Sequence, residues 1–256
     1  MKKVAHVICI KWGNKYPAEE YNLLYSMVKK NIKKHELKFY CFTNEKEGLD
    51  KGIIIKPMTK LNVPEKDQPF AYRKEAGLCD DNLGGLKGKR VLFFDVDMVI
   101  TGSLDDLITY PKKDEFVIID DWNTRGKSVG QASCYSWVVG TLGFIKKDFE
   151  ADPKKWVKKF YSASQEYLSY KVIEKFGKLN FWPKKWMASF KFSCIPVWFL
   201  RPFLTPKLPK EAKVLAFHGF PKLEDALLGR WAKNVPTWKK IYKTIRPSPW
   251  LKKYLK

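Results

Sequence analysis

The sequence lacks a hydrophobic run long enough to cross a membrane. A spanning helix needs roughly 18 or more apolar residues, whereas the most apolar late stretch, residues 195–204, is short and contains Arg201. The basic N-terminus precedes a brief apolar segment without a small-residue cleavage site, so we interpret residues 4–10 as a core strand and not as an export signal. These absences predict a cytoplasmic protein.

Cysteine is scarce and scattered. The five cysteines, at positions 9, 41, 79, 134 and 194, are odd in number and never closely spaced. This pattern argues against a disulfide framework and against a zinc knuckle, because both need regularly spaced pairs. Reduced and mostly buried thiols are expected, as in cytoplasmic proteins.

Acidic residues are few. The chain has 27 Asp and Glu against 49 Lys and Arg, which gives a formal net charge of +22 and predicts an anionic partner. Residues 201–256 alone hold fourteen basic and three acidic residues, with Trp and Tyr interleaved. This mixture is typical of contact with an anionic membrane, of nucleic-acid binding, or of a basic solvated surface. Nucleic acid is the less favoured partner, because the sequence has no helix-turn-helix or RNA-binding signature.

Strand and helix patterns alternate along the chain. The predicted strands cover residues 4–10, 38–43, 52–56, 90–95, 116–119, 137–145 and 213–217. The predicted helices cover residues 17–34, 70–80, 104–108, 154–161 and 165–176. The alternation predicts a mainly parallel α/β sheet in a domain of residues 1–232. A basic, aromatic tail at residues 233–256 follows, and its prolines divide it into short pieces.

The apolar run of residues 91–100 contains two acids, Asp95 and Asp97. Burying unpaired charge is costly, and acids on alternate positions of an extended chain point to the same side. Ligands of parallel α/β sheets bind at the carboxyl ends of the strands, where both acids are predicted to lie. We therefore expect them to hold Mg²⁺ or Mn²⁺, which hard oxygen ligands suit. The alternative is structural, with Asp95 capping the strand and Asp97 starting a turn.

The segment around these acids resembles the Asp-x-Asp segment of nucleotide-sugar glycosyltransferases with the GT-A fold. Residues 214–222, Val-Leu-Ala-Phe-His-Gly-Phe-Pro-Lys, are similar to the His-x-x-Gly-x-x-Lys-Pro element of glycogenin-like and lipopolysaccharide galactosyltransferase-like members. In that element a His completes the metal shell and a Lys touches the diphosphate. The resemblance therefore assigns His218 to the metal, and Gly219 and Lys222 to the nucleotide. The spacing is compressed here, because Gly219 directly follows His218.

Two further blocks resemble uncharacterised bacterial glycosyltransferases, namely residues 70–74 and residues 165–169 with 182–191. The resemblance extends from the first strand to about residue 232. It implies a Rossmann-like GT-A fold, a mainly parallel sheet flanked by helices with a basic C-terminal extension. It also implies metal-dependent transfer of a sugar from a nucleotide-diphosphate donor to a glycan or glycolipid acceptor. Surface polysaccharide assembly is the expected setting, with the tail in peripheral contact with the inner face of the cell membrane.

Three side chains are candidates for the catalytic step. A carboxylate near the donor sugar could stabilise an oxocarbenium-like transition state or deprotonate the acceptor. Many relatives carry Asp-Gln where this chain has Ser164-Gln165, so this acid is either absent or supplied by Glu166. Asp121, after a predicted strand, is the other candidate. The competing roles are a turn or cap for Asp121, a favourable helix-dipole position for Glu166 and surface exposure for Gln165.

Four further side chains are candidates for binding the nucleotide. Arg73 and Lys74, on a predicted helix before the metal strand, could hold the phosphates or the base, or else form a solvated helix face. Trp12 and Thr43 lie at the ends of the first two predicted strands and are expected near the nucleoside. Among the remaining histidines, His6 is expected in the core and His35 on the surface.

Two other functions stay open. The sequence from Asp95 also satisfies the nucleophile pattern of haloacid-dehalogenase-type phosphatases, in which the first Asp attacks phosphorus. That motif normally opens its domain, whereas strands precede it here, and no Gly-Asp-x-x-x-Asp element follows. The other alternative is a non-catalytic, basic membrane or nucleic-acid binder with a transferase-like fold.

Overall fold

Ten strands and seven helices lie within the residues that the computed structural model describes, which are 2–13, 15–67, 72–124, 126–161 and 163–255. The strands are β1 (Val4–Lys11), β2 (Glu36–Thr43), β3 (Ile54–Lys56), β4 (Arg90–Phe94), β5 (Met98–Ile100), β6 (Val117–Asp120), β7 (Gly130–Val138), β8 (Asn180–Phe181), β9 (Met187–Ser189) and β10 (Val214–Ala216). The helices are α1 (Ala18–Asn31), α2 (Tyr72–Glu75), α3 (Asp105–Thr109), α4 (Gly143–Ala151), α5 (Pro153–Phe160), α6 (Ser164–Phe176) and α7 (Leu223–Leu228).

Seven of these strands form the central sheet, in the order β3-β2-β1-β4-β7-β6-β8. β1 pairs in parallel with β2 and β4, and β2 pairs in parallel with β3. β7 runs antiparallel to both of its neighbours, β4 and β6. The apolar residues of β4 are buried, as expected for a strand covered on both faces. The prediction of a mainly parallel α/β sheet flanked by helices is confirmed.

A second sheet of three strands, in the order β5-β10-β9, brings distant parts of the chain together. β10 pairs antiparallel with β5 and parallel with β9. β5 begins one residue after Asp97, and β10 ends one residue before Phe217. The backbone N–H of Phe217 donates a hydrogen bond to the carbonyl of Asp97 at 3.3 Å. The small sheet therefore holds residues 217–222 beside the two acids that follow β4.

Helix α1 covers one face of the central sheet. Pro17 precedes it as the N-cap, and Glu19 and Glu20 in its first turn suit the positive end of the helix dipole. The apolar side chains on one face of this segment are buried, namely Tyr21, Leu24, Tyr25, Val28 and Ile32. Each such burial contributes at most about 1.5–3 kcal/mol, so the apolar face of α1 holds it against the sheet.

Two predicted elements differ from the structure. The strand predicted at residues 137–145 is wrong, because β7 ends at Val138 and α4 begins at Gly143. Buried polar residues in β7, such as Gln131 and Ser136, weaken the apolar signal of the strand. Gly140, with φ of +100°, then turns the chain before the helix.

The helix predicted at residues 70–80 is much shorter in the structure. Residues 70 and 71 lie outside the described residues, α2 ends at Glu75, and a 3₁₀ turn follows at Gly77–Cys79. Cys79 and Glu75 are linked, since the thiol donates to the Glu75 carbonyl at 3.0 Å. All five cysteines are free and buried, as predicted.

The C-terminal residues pack in part on the main core. Ile245 and Leu251 belong to the same hydrophobic cluster as β1 and α1, and the Trp250 indole N–H donates to the Pro206 carbonyl at 2.8 Å. Two 3₁₀ turns, Thr237–Ile241 and Pro249–Lys253, are the short pieces between the prolines. The domain boundary at residue 232 stays a prediction. Over the described parts of the chain, no helix has the length and apolar character needed to span a membrane.

Candidate active site

A cleft of about 250 Å³ opens where β1 and β4 end. The side chains that give it its character are Trp12, Tyr16, Lys74, Asp95, Asp97 and Lys222. This is the edge of a parallel sheet at which ligands bind. The structure therefore brings together most of the predicted nucleotide-binding residues and both predicted acids.

Each acid of the Asp-x-Asp segment is paired with a lysine. The backbone N–H of Asp95 donates to the Ser133 carbonyl at 2.9 Å, and the chain then leaves the sheet and turns towards β5. The ammonium of Lys74 lies 2.9 Å from Asp95 Oδ2, and that of Lys222 lies 3.2 Å from Asp97 Oδ2. The two ion pairs explain how a buried strand can end in two carboxylates.

The charges within the cleft perturb one another. Burial raises the pKa of Asp97, the negative charge of Asp95 raises it further, and Lys222 acts in the opposite direction. Burial alone would lower the pKa of Lys74, but Asp95 and Glu75 outweigh this effect and raise it. Lys74 is therefore an ammonium ion at neutral pH. The cleft offers carboxylates to a cation and ammonium groups to an anion.

His218 is not grouped with the two acids. Its Nε2 lies 2.8 Å from Ser189 Oγ, and its ring stacks on Trp122 with a centroid distance of 5.1 Å and on Phe192 at 5.7 Å. Burial lowers the pKa of His218, partly offset by the charge of Asp121, so the imidazole is neutral at pH 7. Among the described residues, no three acidic, His or Cys side chains are arranged to hold a metal ion. The metal set of Asp95, Asp97 and His218 therefore stays a prediction.

The two carboxylates alone fit a hard divalent cation. Asp95 and Asp97 line one cleft, and the charge of Asp95 raises the pKa of its neighbour. A cation between them would relieve this repulsion, and oxygen ligands are those that Mg²⁺ and Mn²⁺ prefer. It would also have to replace Lys74 and Lys222 as the partner of the acids. Together these groups could hold a metal and a diphosphate in one place.

Glu75 is a cleft residue that the sequence analysis missed. Its side chain is 3% exposed, pairs with the Lys74 ammonium at 3.1 Å and accepts a hydrogen bond from the Ser164 hydroxyl at 2.9 Å. Burial raises the pKa of Glu75, and Lys74 opposes this change. The sequence signal was the direct succession of Lys74 and Glu75 in a segment already singled out. A short chain of contacts thus links Asp95, through Lys74 and Glu75, to the start of α6.

Gln165 is joined to the same region through the backbone. Its Oε1 accepts from the Ala132 N–H at 3.4 Å, and the Ala132 carbonyl accepts from the Lys74 ammonium at 3.4 Å. Glu166 is half-buried in the first turn of α6. Burial, together with the negative charges of Glu75 and Glu166, raises the pKa of Tyr72 to about 12. Glu166 does not line the cleft.

Asp121 lies on the His218 side of the site. It is almost fully buried, and its oxygens accept hydrogen bonds from Asn123 Nδ2 at 3.2 Å and from Thr124 Oγ1 at 2.8 Å. Both donors are side chains of the same loop, so the contacts occupy the carboxylate without forming an Asx turn, in which a backbone N–H is the donor. The turn role and the catalytic role considered for Asp121 both stay predictions.

The nucleoside candidates lie at the ends of β1 and β2. The Arg73 guanidinium stacks over the Trp12 ring at 4.0 Å, and Trp12 lines the cleft. Thr43 is buried, and its hydroxyl accepts from the Glu45 N–H at 2.9 Å, which directs it into its own loop. Gly219 follows His218 in the sequence and precedes Lys222. Its φ is +71°, a conformation that glycine adopts readily.

Tyr16 was also missed from the sequence. It lines the cleft, and burial together with the charges of Asp97 and Glu20 raises the pKa of Tyr16 to about 12. Its phenol therefore stays protonated and is able to donate a hydrogen bond. Its position a few residues beyond the end of β1 was the available signal, because loops at that edge of the sheet approach the ligand.

Comparison with known proteins identifies the architecture. No protein-family profile matches the chain, and no curated protein sequence matches it. The galactosyltransferase LgtC, solved in complex with donor and acceptor sugar analogs, superposes with a TM-score of 0.53 over 83% of this chain and 87% of its own, at 12% identity. This chain has a GT-A glycosyltransferase fold. The bifunctional glycosyltransferase WbbM in its apo form also has this fold, with a TM-score of 0.58 and 12% identity.

The GT-A fold is thus confirmed along most of the chain. The match to WbbM covers 87% of this chain but 47% of WbbM, so the chain spans about half of that protein. In the GT-A fold of this chain, the cleft lies at the edge of the sheet where Asp95 and Asp97 follow β4.

Proposed function

We propose that the chain is a metal-dependent glycosyltransferase that moves a sugar from a nucleotide-diphosphate donor to a glycan or glycolipid acceptor. The observation that carries the proposal is the cleft in a GT-A fold in which Asp95 and Asp97 face Lys74 and Lys222. A cluster with both signs of charge suits a metal ion and a diphosphate bound together.

The lysines provide the electrostatic part of the chemistry. As the glycosidic bond of the donor breaks, negative charge grows on the leaving diphosphate, and fixed positive charge beside it lowers the barrier. Lys222 is held near the site by its contacts with Asp97 and with the Phe217 carbonyl, at 3.2 and 3.4 Å. Lys74 is held more firmly, because it lies between Asp95 and Glu75.

Asp95 and Asp97 are the residues that would hold Mn²⁺ or Mg²⁺. The bound cation would supply further positive charge beside the diphosphate. Trp12, Thr43, Arg73 and Gly219 remain candidates for binding the nucleotide. Trp12 lines the cleft and the Arg73 guanidinium stacks on it, and such a cation and aromatic ring together suit a nucleoside base.

Gln165 is the best-supported of the three catalytic candidates. It is linked through Ala132 to Lys74, whereas Glu166 influences Tyr72 only through its charge, and the Asp121 carboxylate is occupied by Asn123 and Thr124. An amide at this position would orient the donor sugar or the acceptor hydroxyl by hydrogen bonds.

The setting of the reaction rests on analogy of fold. We propose surface polysaccharide assembly at the inner face of the cell membrane, with the basic tail in peripheral contact with anionic lipid. The net charge of +11 on residues 201–256 supports this contact.

The experiment is a thermal unfolding screen with a panel of nucleotide sugars, each with and without Mn²⁺. A ligand that binds only the folded state stabilises it, by about 2.7 kcal/mol at a hundredfold excess over its Kd. We expect one nucleotide class to raise the midpoint only when Mn²⁺ is present. Asp97→Asn should abolish the metal-dependent part, whereas the exposed Asp114→Asn should respond like the parent protein. A panel with no response, or an Asp97→Asn response equal to that of the parent, would contradict the proposal.

The phosphatase alternative is separated by its product. In that mechanism Asp95 would attack phosphorus, but its carboxylate is engaged by Lys74, and the matching folds named above are glycosyltransferases. We expect no metal-dependent release of phosphate from phosphomonoesters. Phosphate release that Asp95→Asn abolishes, without any response to nucleotide sugars, would favour the phosphatase.

A further inference from the structure

A group of exposed apolar side chains lies in the segment between β9 and β10. We call this group the apolar ridge, and its members are Val197, Trp198, Phe199, Leu200, Phe203 and Leu204. Trp198 is 58% exposed and Phe203 is 74% exposed. Fully burying a large apolar side chain is worth about 1.5–3 kcal/mol. Proteins seldom leave so many neighbouring apolar residues in water unless the surface binds something.

The C-terminal segment extends the same surface. The Arg246 guanidinium donates to the Pro202 carbonyl at 3.2 Å, and the Arg201 guanidinium donates to the Tyr242 carbonyl. These two bonds hold the segment against the apolar ridge. Ile241 is 73% exposed beside Tyr242, so a second set of apolar side chains adjoins the first.

Basic residues surround this composite surface. Lys191 and Lys207 are exposed at either end of the ridge segment, and Arg246 and Lys243 lie on its C-terminal side. Lys191, Arg201, Tyr242 and Lys243 line one shallow groove of about 380 Å³. Basic side chains therefore flank the apolar ridge at both ends of its segment and along this groove.

The acids of residues 201–256 do not cancel this charge. Glu224 and Asp225 pair with Arg230 at 3.0 and 2.7 Å, and Glu211 pairs with Lys185 at 2.7 Å. All three acids are thus occupied by basic groups outside the ridge. The surface around the ridge keeps its positive potential, and its partner must be both apolar and anionic.

The surface adjoins the candidate active site through Phe220. Phe220 is exposed and lines the groove that contains Arg201 and Tyr242. It also lines a second groove, of about 540 Å³, together with Lys222. Lys222 in turn lines the cleft with Asp97. The ridge and the cleft are therefore connected along one side of the molecule.

We propose that the apolar ridge, together with the C-terminal segment beside it, docks the protein on an anionic lipid bilayer. Aromatic side chains with Lys and Arg favour the interface of such a membrane, where rings insert and cations meet lipid phosphates. Aliphatic members such as Leu200, Leu204 and Ile241 favour lipid over nucleic acid, because they offer no stacking surface to bases. The inference deepens the proposed function, since it assigns membrane contact to residues 197–204 as well as to the tail.

The test is flotation of the full chain with vesicles, without any sugar. One set of vesicles contains phosphatidylcholine alone, and the other also contains phosphatidylglycerol. The ridge variant combines Trp198→Ser with Phe203→Ser, and the charge variant combines Lys191→Gln with Lys207→Gln. The control is Tyr161→Ser, which removes a 76% exposed aromatic ring outside the ridge. Far-ultraviolet circular dichroism and the thermal midpoint establish that each variant is folded.

We expect the parent and Tyr161→Ser to float with the anionic vesicles and much less with the neutral ones. The ridge variant should lose at least about tenfold in partitioning, because two inserted rings contribute more than the 1.4 kcal/mol of a tenfold change. The charge variant should lose affinity mainly at low salt.

Equal flotation of the ridge variant and the parent would overturn the proposal. Concentration-dependent dimers that the ridge variant abolishes, without vesicle binding, would overturn it in favour of a second copy. The response of the ridge variant to nucleotide sugars is measured separately. If that response is kept, a change in flotation concerns membrane docking alone and not the proposed glycosyltransferase function.

Discussion

The hydroxyl of Ser164 donates a hydrogen bond to the carboxylate of Glu75 at 2.9 Å. The resemblance to glycosyltransferases predicts an acid at position 164, where this chain has serine. The structure places a buried carboxylate against that serine from another helix, α2. Glu75 therefore puts a carboxylate beside position 164, and it also touches Lys74.

Glu75→Gln should destabilise the protein and impair donor binding. A hydrogen bond to a charged group contributes about 1.5–3 kcal/mol, and Glu75 makes two such contacts, with Lys74 and Ser164. We expect the free energy of unfolding in urea to fall by about 1–3 kcal/mol. The stabilisation by nucleotide sugars should also decrease. Glu19→Gln, at an exposed position in α1, is the control. Equal stability of the two variants would show that Glu75 has no structural role in the cleft.

Lys222→Gln should affect activity far more than stability. The ion pair between Lys222 and Asp97 is partly exposed, and such pairs contribute about 0–1 kcal/mol to folding. Loss of a cation beside the leaving diphosphate should lower kcat/KM at least about a hundredfold, in line with other groups that stabilise charge in the transition state. Steady-state kinetics with the identified donor gives kcat/KM, and urea unfolding gives stability. Lys184→Gln, which removes the exposed partner of Asp120, should leave kcat/KM unchanged. A similar kcat/KM in both variants would remove Lys222 from the mechanism.

Much of the cleft could be predicted because it depends on where strands end. Apolar runs predict β1, β2 and β4, and parallel strands bring their carboxyl ends to one edge, so Trp12 and Asp95 follow from the pattern. The approach of Lys222 to Asp97 depends on pairing between β5 and β10, which are more than a hundred residues apart. No local pattern indicates that pairing. Only the resemblance of residues 214–222 to a known element predicted it.

The missed features depend on contacts between particular side chains and not on local apolar patterns. β7 lacks a clear apolar pattern because its buried polar residues pair with each other, as Gln131 does with Ser133 at 2.6 Å. The placement of His218 against Ser189 and Trp122 requires the small sheet and the loop after β6 together. Such contacts join segments that are distant in sequence, and single-sequence patterns carry no signal for them.

If His218 completes a metal shell through its Nε2, this nitrogen must leave Ser189. The bond of 2.8 Å to the Ser189 hydroxyl competes with metal binding. Ser189→Ala should then strengthen Mn²⁺ binding, and His218→Asn should weaken it by about tenfold or more. The apparent Kd for Mn²⁺ comes from the thermal midpoint as a function of metal concentration, with nucleotide present. Equal Kd values for the parent and both variants would leave the cation to Asp95 and Asp97 alone.

Asp105, an ion-paired carboxylate that does not line the cleft, gives a prediction about pH. The expectation that His35 lies on the surface is wrong, because its side chain is only 10% exposed and its Nδ1 lies 2.8 Å from Asp105 Oδ1. The backbone N–H groups of Lys33 and Lys34 also donate to Asp105, at 2.9 and 3.0 Å. Burial would raise the pKa of Asp105, but these three contacts outweigh it and lower the pKa below its usual 3.8.

Asp105→Asn should therefore destabilise the protein at neutral pH and matter less in acid. A carboxylate whose pKa is lower in the folded state stabilises fully above the unfolded pKa, and this contribution disappears as pH falls through the folded pKa. We expect a loss of about 1–3 kcal/mol near pH 7, since the contacts to the charged oxygens weaken. Urea unfolding of parent and variant, from about pH 7 down to about pH 3, gives the difference in free energy. The gap should stay constant above the unfolded pKa of about 3.8 and narrow below it. If the difference in free energy of unfolding stays constant throughout the acid range, the negative charge of Asp105 does not contribute to stability.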